Sequence, residues 1–349
     1  RSSTAAATYT GSDGDDTFMW ANSADVITGG AGTDTLDLNF AAILGGLNVD
    51  LNSTTNQIIT IDGSSPTGTV TGFETVDASG FTGSFGARIT GRTTKANVII
   101  GTPQVDVMTG GSAADTFTVV GLDTVNAGAG DDIFQIVDAS LDAFTAASKP
   151  ALDGQTGTNT LSVTDAATII DEDLSGASNI QILDFALPTA TGNSTLTIGS
   201  VFAGSSYTTI DVTGAGLVLT NTASVLTGTA AAPIKITGHA AIEANRFILG
   251  GTATHGDGAI TEYSIGTTST SLGAYTHTAG TASGNDFLTA SAASTASESG
   301  DVAIFVKGGD TFVFAEGPTK ATSDDTFLQL VDVELTGVAA AAGTGIFHI

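Results

Sequence analysis

The sequence has no cysteine, so neither a disulfide nor a thiolate metal site can fasten the chain. Cationic residues are scarce as well: nine Lys and Arg face 36 Asp and Glu, for a formal charge of -27. That balance argues against nucleic acid, whose phosphates need Lys and Arg, and against anionic membrane surfaces. It points to cations as partners. No apolar run approaches the roughly 18 residues of a membrane span. Helical pattern is thin, with room for one turn or two in LDAFTAASKP, residues 141 to 150. Charged residues make up only 13% of the chain, about half the usual share of roughly 25%. Disordered acidic chains are rich in charge and poor in Val, Ile and Leu. Here β-branched residues abound beside 45 glycines, so the expectation is folded β-structure.

Catalytic signatures are missing too. There is no H-E-x-x-H for a zinc protease and no G-x-S-x-G for a lipase elbow. The four histidines, His239, His255, His277 and His348, form no local metal motif. The cluster Asp171, Glu172, Asp173 could pose as the acid and base of a glycosidase, but such clusters are usually solvated turns. The expectation is a protein that is not an enzyme. Its 349 residues allow two or three domains or one long repetitive one. The opening RSSTAAATYT, which lacks Met and any signal-peptide pattern, suggests a fragment or a processed product.

What is present is a period. Residues 11 to 37 divide into GSDGDDTFM, WANSADVIT and GGAGTDTLD, nine residues each. Asp16, Asp25 and Asp34 take the sixth place of these blocks, and Phe18, Ile27 and Leu36 the eighth. A second array runs through GTPQVDVMT (101–109), GGSAADTFT (110–118), the eight-residue VVGLDTVN and AGAGDDIFQ (127–135). It carries Asp106, Asp115, Asp123 and Asp132 in step. A further copy, GQTGTNTLS (154–162), has Asn159 in place of the aspartate.

The first six positions of a block turn the chain, and glycines there permit backbone that a Cβ would block. The last three form a short strand whose central apolar residue points inward and whose neighbours point out. A hard cation needs six or more oxygens, which carboxylates and turn carbonyls can supply. The alternative is that Asp and Gly at these spacings only make polar turns. For Asn159 that alternative is preferred, because an amide brings no charge.

These blocks resemble the RTX, or haemolysin-type, calcium-binding repeats of secreted bacterial proteins. The resemblance implies a parallel β-roll in which two blocks make one right-handed coil and Ca2+ sits in the turns. The implied ligands are Asp16, Asp34, Asp115 and Asp132 above all, with Asp25, Asp106 and Asp123 in support. Gly30, Gly32, Gly111, Gly128 and Gly130 would bring backbone carbonyls close. The expected fold is therefore all-β: parallel β-roll or β-solenoid coils with calcium-binding turns, plus a C-terminal β-hairpin region.

Outside the arrays, TGFETVDASG (71–80), SGASNIQILDFAL (175–187) and YTTIDVTGAGLVL (207–219) each place alternating apolar residues between polar turns. They resemble inter-repeat segments of RTX-type surface-layer proteins. SGDVAIFVKGGDTFVFAEG (299–317) reads as a hairpin, with Ala303, Phe305, Phe312 and Phe314 alternating around GGD. Together with SDDTFLQLVDVELTGV (323–338), it resembles the C-terminus of type I secretion substrates. Arg88, Arg92 and Lys95 hold a third of all the basic residues. This island is either a docking point for the acidic face of another copy or a solvated strand face.

Five segments are expected: a first roll (1–50), a solenoid segment with the basic island (51–100), a second array (101–165), a calcium-poor solenoid or sandwich (166–290) and a secretion-like terminus (291–349). The implied function is a calcium-dependent, self-assembling structural protein of the bacterial cell surface. Its expected partners are identical copies, the type I secretion machinery and a cell-surface glycan gripped through an upstream region. Two rivals stand beside this reading: an RTX adhesin or biofilm-matrix fibre, and the non-catalytic tail of a secreted hydrolase or epimerase.

Overall fold

Each nine-residue block becomes a turn followed by a three-residue strand. In the computed structural model Thr17–Met19, Val26–Thr28 and Thr35–Asp37 are the strands of the first three blocks. Strands two blocks apart lie side by side and parallel: Phe18 pairs with Leu36, and Tyr9 with Ile27. Two blocks therefore make one coil. The central residue of each triplet enters the core, and Ile27, Leu36, Ile99, Met108, Phe117, Val125 and Phe134 are all buried. Each such side chain is worth about 1.5–3 kcal/mol. Phe117 and Phe134 also stack across adjacent coils, with ring centroids 5.7 Å apart.

The structure describes residues 5–39, 45–81, 83–142, 150–186 and 194–211, and after these only the backbones of separate strands. The chain divides into two units, Arg1–Ser162 with Ser175–Ile180, and Val163–Leu174 with Gln181–Ile349.

In the first unit, one sheet stacks Thr17–Met19, Thr35–Asp37, Thr75–Asp77, Val98–Ile100, Thr116–Thr118, Ile133–Ile136 and Thr160–Val163 in that order. The opposite wall is made by two sheets. One holds Thr8–Thr10, Val26–Thr28 and Val70–Thr71. The other runs from Ala177–Ser178 through Ala151–Asp153, Thr124–Asn126, Val107–Thr109 and Ala87–Thr90 to Leu47–Asp50 and Ile58–Ile61. The last pair is antiparallel, a hairpin inserted into an otherwise parallel roll. It delays the return of the first wall, so Leu36 pairs with Val76 forty residues later. Buried Gln57 closes this insertion. Its amide donates to the carbonyls of Leu51 and Phe73, and its oxygen accepts the Phe73 N–H.

The only helix of the first unit among the described residues is one turn, Asp138–Leu141. The rest of the stretch expected to be helical lies outside them. In the second unit, parallel strands continue at Ile182–Phe185 and Thr209–Asp211. The expected hairpin is present as Val302–Lys307 antiparallel to Asp310–Ala315, with Phe305 opposite Phe312 and Ala303 opposite Phe314. Asp310–Ala315 also pairs antiparallel with Thr326–Leu330. No described helix is long and apolar enough to cross a membrane.

Candidate metal-binding turns

The aspartates at the sixth place do not face solvent. Asp34, Asp106, Asp123 and Asp132 are 0% exposed, Asp115 is 1% and Asp25 4%. Only Asp16, in the first complete coil, is half-buried. The turns fall into two stacks, one along each wall. Asp16, Asp34, Asp115 and Asp132 occupy one stack, and Asp25, Asp106 and Asp123 the other. Asn159 takes the same place in the first stack, as its block showed, and so do Glu74 and Asn97, which the sequence did not reveal; each stands immediately before a strand.

Buried carboxylates need partners, and here the backbone supplies them in two regular ways. The Oδ1 atom reaches along the roll to an N–H in the neighbouring coil. Asp25 accepts from Ala7 and Asp34 from Asp16, both at 2.9 Å. Asp106 accepts from Ala87, Asp123 from Asp106, Asp115 from Asn97 and Asp132 from Asp115, at 2.6–2.8 Å. Asn159 takes the Asp132 N–H, and Glu74 takes that of Asp34. The Oδ2 atom instead turns back into its own turn. Asp16 accepts there from the Ser12 N–H, Asp106 from Thr102, Asp115 from Gly111 and Asp123 from Val120, at 2.6–2.8 Å.

Asp25 shows only the first kind of bond, and two aspartates depart further from the pattern. Asp34 Oδ2 and Asp132 Oδ2 are buried and have no hydrogen-bond partner. Their turns, 29–34 and 127–132, each hold two glycines at positive φ: Gly30 (123°) with Gly32 (122°), and Gly128 (102°) with Gly130 (128°). Side chains are strained there. A Cβ on Gly30 would also strike the Ser12 carbonyl, and one on Gly128 the Gly111 carbonyl. These turns therefore bring carbonyls of adjacent coils close. Gly111, by contrast, is not in the positive-φ region, and its N–H closes on Asp115.

Burial has an electrostatic cost. It raises the pKa of Asp106 and Asp115 above the ordinary carboxylate value. It pushes Asp123 up to about 7 and Asp132 to about 6, against backbone hydrogen bonds that oppose the shift. Anions held this way favour a bound cation. Among the described residues no three His, Cys, Asp or Glu side chains are grouped to hold a metal. A cation in these turns must therefore take most of its ligands from backbone carbonyls, as Ca2+ tolerates. The open carboxylate oxygens and crowded carbonyls fit such an ion, which would supply charge neutralisation and cross-link the coils if bound here.

The remaining candidates take other places. Arg92 pairs with buried Glu74 in its own chain, so it is not free to serve as a docking cation. Arg88 and Lys95 are exposed. The Asp171 carboxylate accepts the N–H groups of Gly199, Val201 and Phe202, which makes it an anchor for a short helix. His239, His255 and His277 lie outside the described residues, and His348 is described only as strand backbone.

The RTX calcium-binding nonapeptide repeat matches the chain in four copies, over residues 10–40, 93–118 and 120–135. Calcium-binding RTX repeats are thus present in the N-terminal part of the chain, and the cofactor they are built for is Ca2+. The repeat is a structural unit, not a catalytic one. No match to a curated protein was found.

Proposed function

We propose that this chain is an extracellular structural protein whose β-roll is folded and stiffened by calcium after export, and whose copies then assemble on a bacterial surface. The observation that carries the calcium part is the pair of buried, unpartnered oxygens on Asp34 and Asp132. In a cytosol poor in calcium, 36 acidic residues repel one another and the buried carboxylates oppose folding. Outside, metal-binding free energy becomes folding free energy. Export through a type I system and assembly as a surface layer are supported by the resemblance of residues 299–338 and 71–80. The exposed Phe85 and Val105 offer apolar contacts for assembly.

The test is a calcium titration of EGTA-stripped protein, followed by circular dichroism and electron microscopy. Calcium-dependent β-signal together with ordered sheets or filaments supports the whole reading. Folding without assembly removes the lattice and favours the adhesin or enzyme-tail rival. No response to calcium defeats the metal reading itself.

A further inference from the structure

Seven aspartates share the repeat position, yet their surroundings are not equivalent. We infer that calcium is held along one edge of the roll only, at turns 29–34 and 127–132, and that the turns ending in Asp106 and Asp123 are metal-free. In those two turns the backbone does the work that an ion does elsewhere. Asp106 is closed by the Ala87 N–H on Oδ1, by the Thr102 N–H on Oδ2 and by the Thr102 hydroxyl at 2.7 Å. Asp123 is closed by the Asp106 and Val120 N–H groups. Turn 119–123 is a residue short, and neither it nor turn 101–106 holds a positive-φ pair.

The contrast with the other edge is one of backbone conformation. Where the second and fourth residues of a turn both take positive φ, no N–H closes on Oδ2. That oxygen is left buried and open in turns 29–34 and 127–132. A third turn of this conformation, 154–159, has Gln155 at 55° and Gly157 at 129°. There the sixth residue is Asn159, whose amide group donates to the Asn179 carbonyl at 2.9 Å. An amide N–H thus stands where the two aspartates present an open oxygen. An unsatisfied buried carboxylate oxygen is costly, and an ion bridging it to nearby carbonyls removes that cost. A carboxylate already saturated by N–H donors gains little from an ion and would have to surrender those bonds.

The inference rests on the calcium reading, and its test separates the two. Bound calcium is counted by equilibrium dialysis on the full chain and on Asp34→Asn, Asp132→Asn, Asp106→Asn and Asp123→Asn. Loss of one ion each in the first two variants, with none lost in the last two, is the expected result. Loss of an ion with Asp106→Asn or Asp123→Asn in a folded protein overturns one-sided binding while leaving the calcium reading intact. No calcium on the unmodified chain overturns both. Because an Asn at 106 or 123 faces an N–H and can unfold the coil, the unmodified protein is also crystallised with Tb3+. Anomalous density at turns 29–34 and 127–132 alone supports the inference, and density at 101–106 or 119–123 refutes it.

Discussion

Acidifying the calcium-free protein should stabilise it, the reverse of what acid does to most proteins. The folded pKa of Asp123 is about 7 and that of Asp132 about 6, both raised from 3.8 by burial. With folded values above unfolded ones, the native state binds more protons between pH 4 and 7, so stability falls as pH rises through that window. At about 1.4 kcal/mol per pKa unit, full ionisation costs roughly 4 kcal/mol at Asp123 and roughly 3 at Asp132. Their sum rivals the net stability of about 5–15 kcal/mol that a domain usually has. The assay is circular dichroism of EGTA-stripped protein from pH 7.5 to 5.0, with urea unfolding wherever β-signal persists. Running it in about 0.5 M KCl screens the surface charge while leaving buried groups exposed to the same penalty. The β-signal should rise toward pH 5, and Asp123→Asn should flatten the slope by close to one proton. A calcium-free protein that loses structure over the same interval refutes the reasoning. So does one whose slope is unchanged in Asp123→Asn.

Replacing Asn159 by Asp should create a further calcium equivalent, because turn 154–159 already has the backbone of the open turns; equilibrium dialysis gives the count. Gly128→Ala forces a side chain into positive φ and against the Gly111 carbonyl. It should cost about 1–3 kcal/mol in urea unfolding at saturating calcium and raise the calcium midpoint. Arg92→Ala leaves the buried Glu74 without its cation and should lower stability by about 2 kcal/mol or more. Arg88→Ala should stay within about 0.5 kcal/mol in the same denaturant series.

Much of this architecture was legible because the repeat states its own geometry. The eighth-place residues Ile27, Leu36, Phe117 and Phe134 were readable as core from period alone, and the resemblance to RTX rolls, with two blocks per coil, implied the eighteen-residue pairing. The hairpin at 302–315 was legible from alternation around GGD. Other features were hidden for physical reasons. The antiparallel insertion at 47–61 carries no block pattern, and its closure depends on a single Gln57 reaching three backbone groups. Asn97 follows RTTKA, which has no glycine, and Glu74 follows TVTGF, which keeps only Gly72, so the strand that follows is the main mark of their place. Arg92 looked like part of an exposed island because its partner lies 18 residues away in sequence but in the adjacent coil. The period also treats Asp34 and Asp123 as equals. Their difference lies in φ at the second and fourth turn residues, which the letters G-G-A-G and V-V-G-L only hint at.

The same distinction accounts for blocks that carry the aspartate without the glycine pair. WANSADVIT has no glycine and no positive-φ turn, yet Asp25 remains and accepts the Ala7 N–H of the preceding coil. GTPQVDVMT keeps Asp106 on the same terms. Each such carboxylate satisfies a backbone donor that the strand ladder cannot reach, and removing it would leave that N–H buried and unpaired at about 1–3 kcal/mol. The glycines have a different task, letting the backbone pass close to the aspartate and to the next coil: a Cβ on Gly101 would strike the Asp106 carboxylate, and one on Gly110 the Ala127 carbonyl. A block without glycine, such as WANSADVIT, can therefore still use its aspartate to hold the neighbouring coil. The task of the aspartate that this roll displays is backbone closure, and on the proposal above calcium binding is a second task confined to two turns.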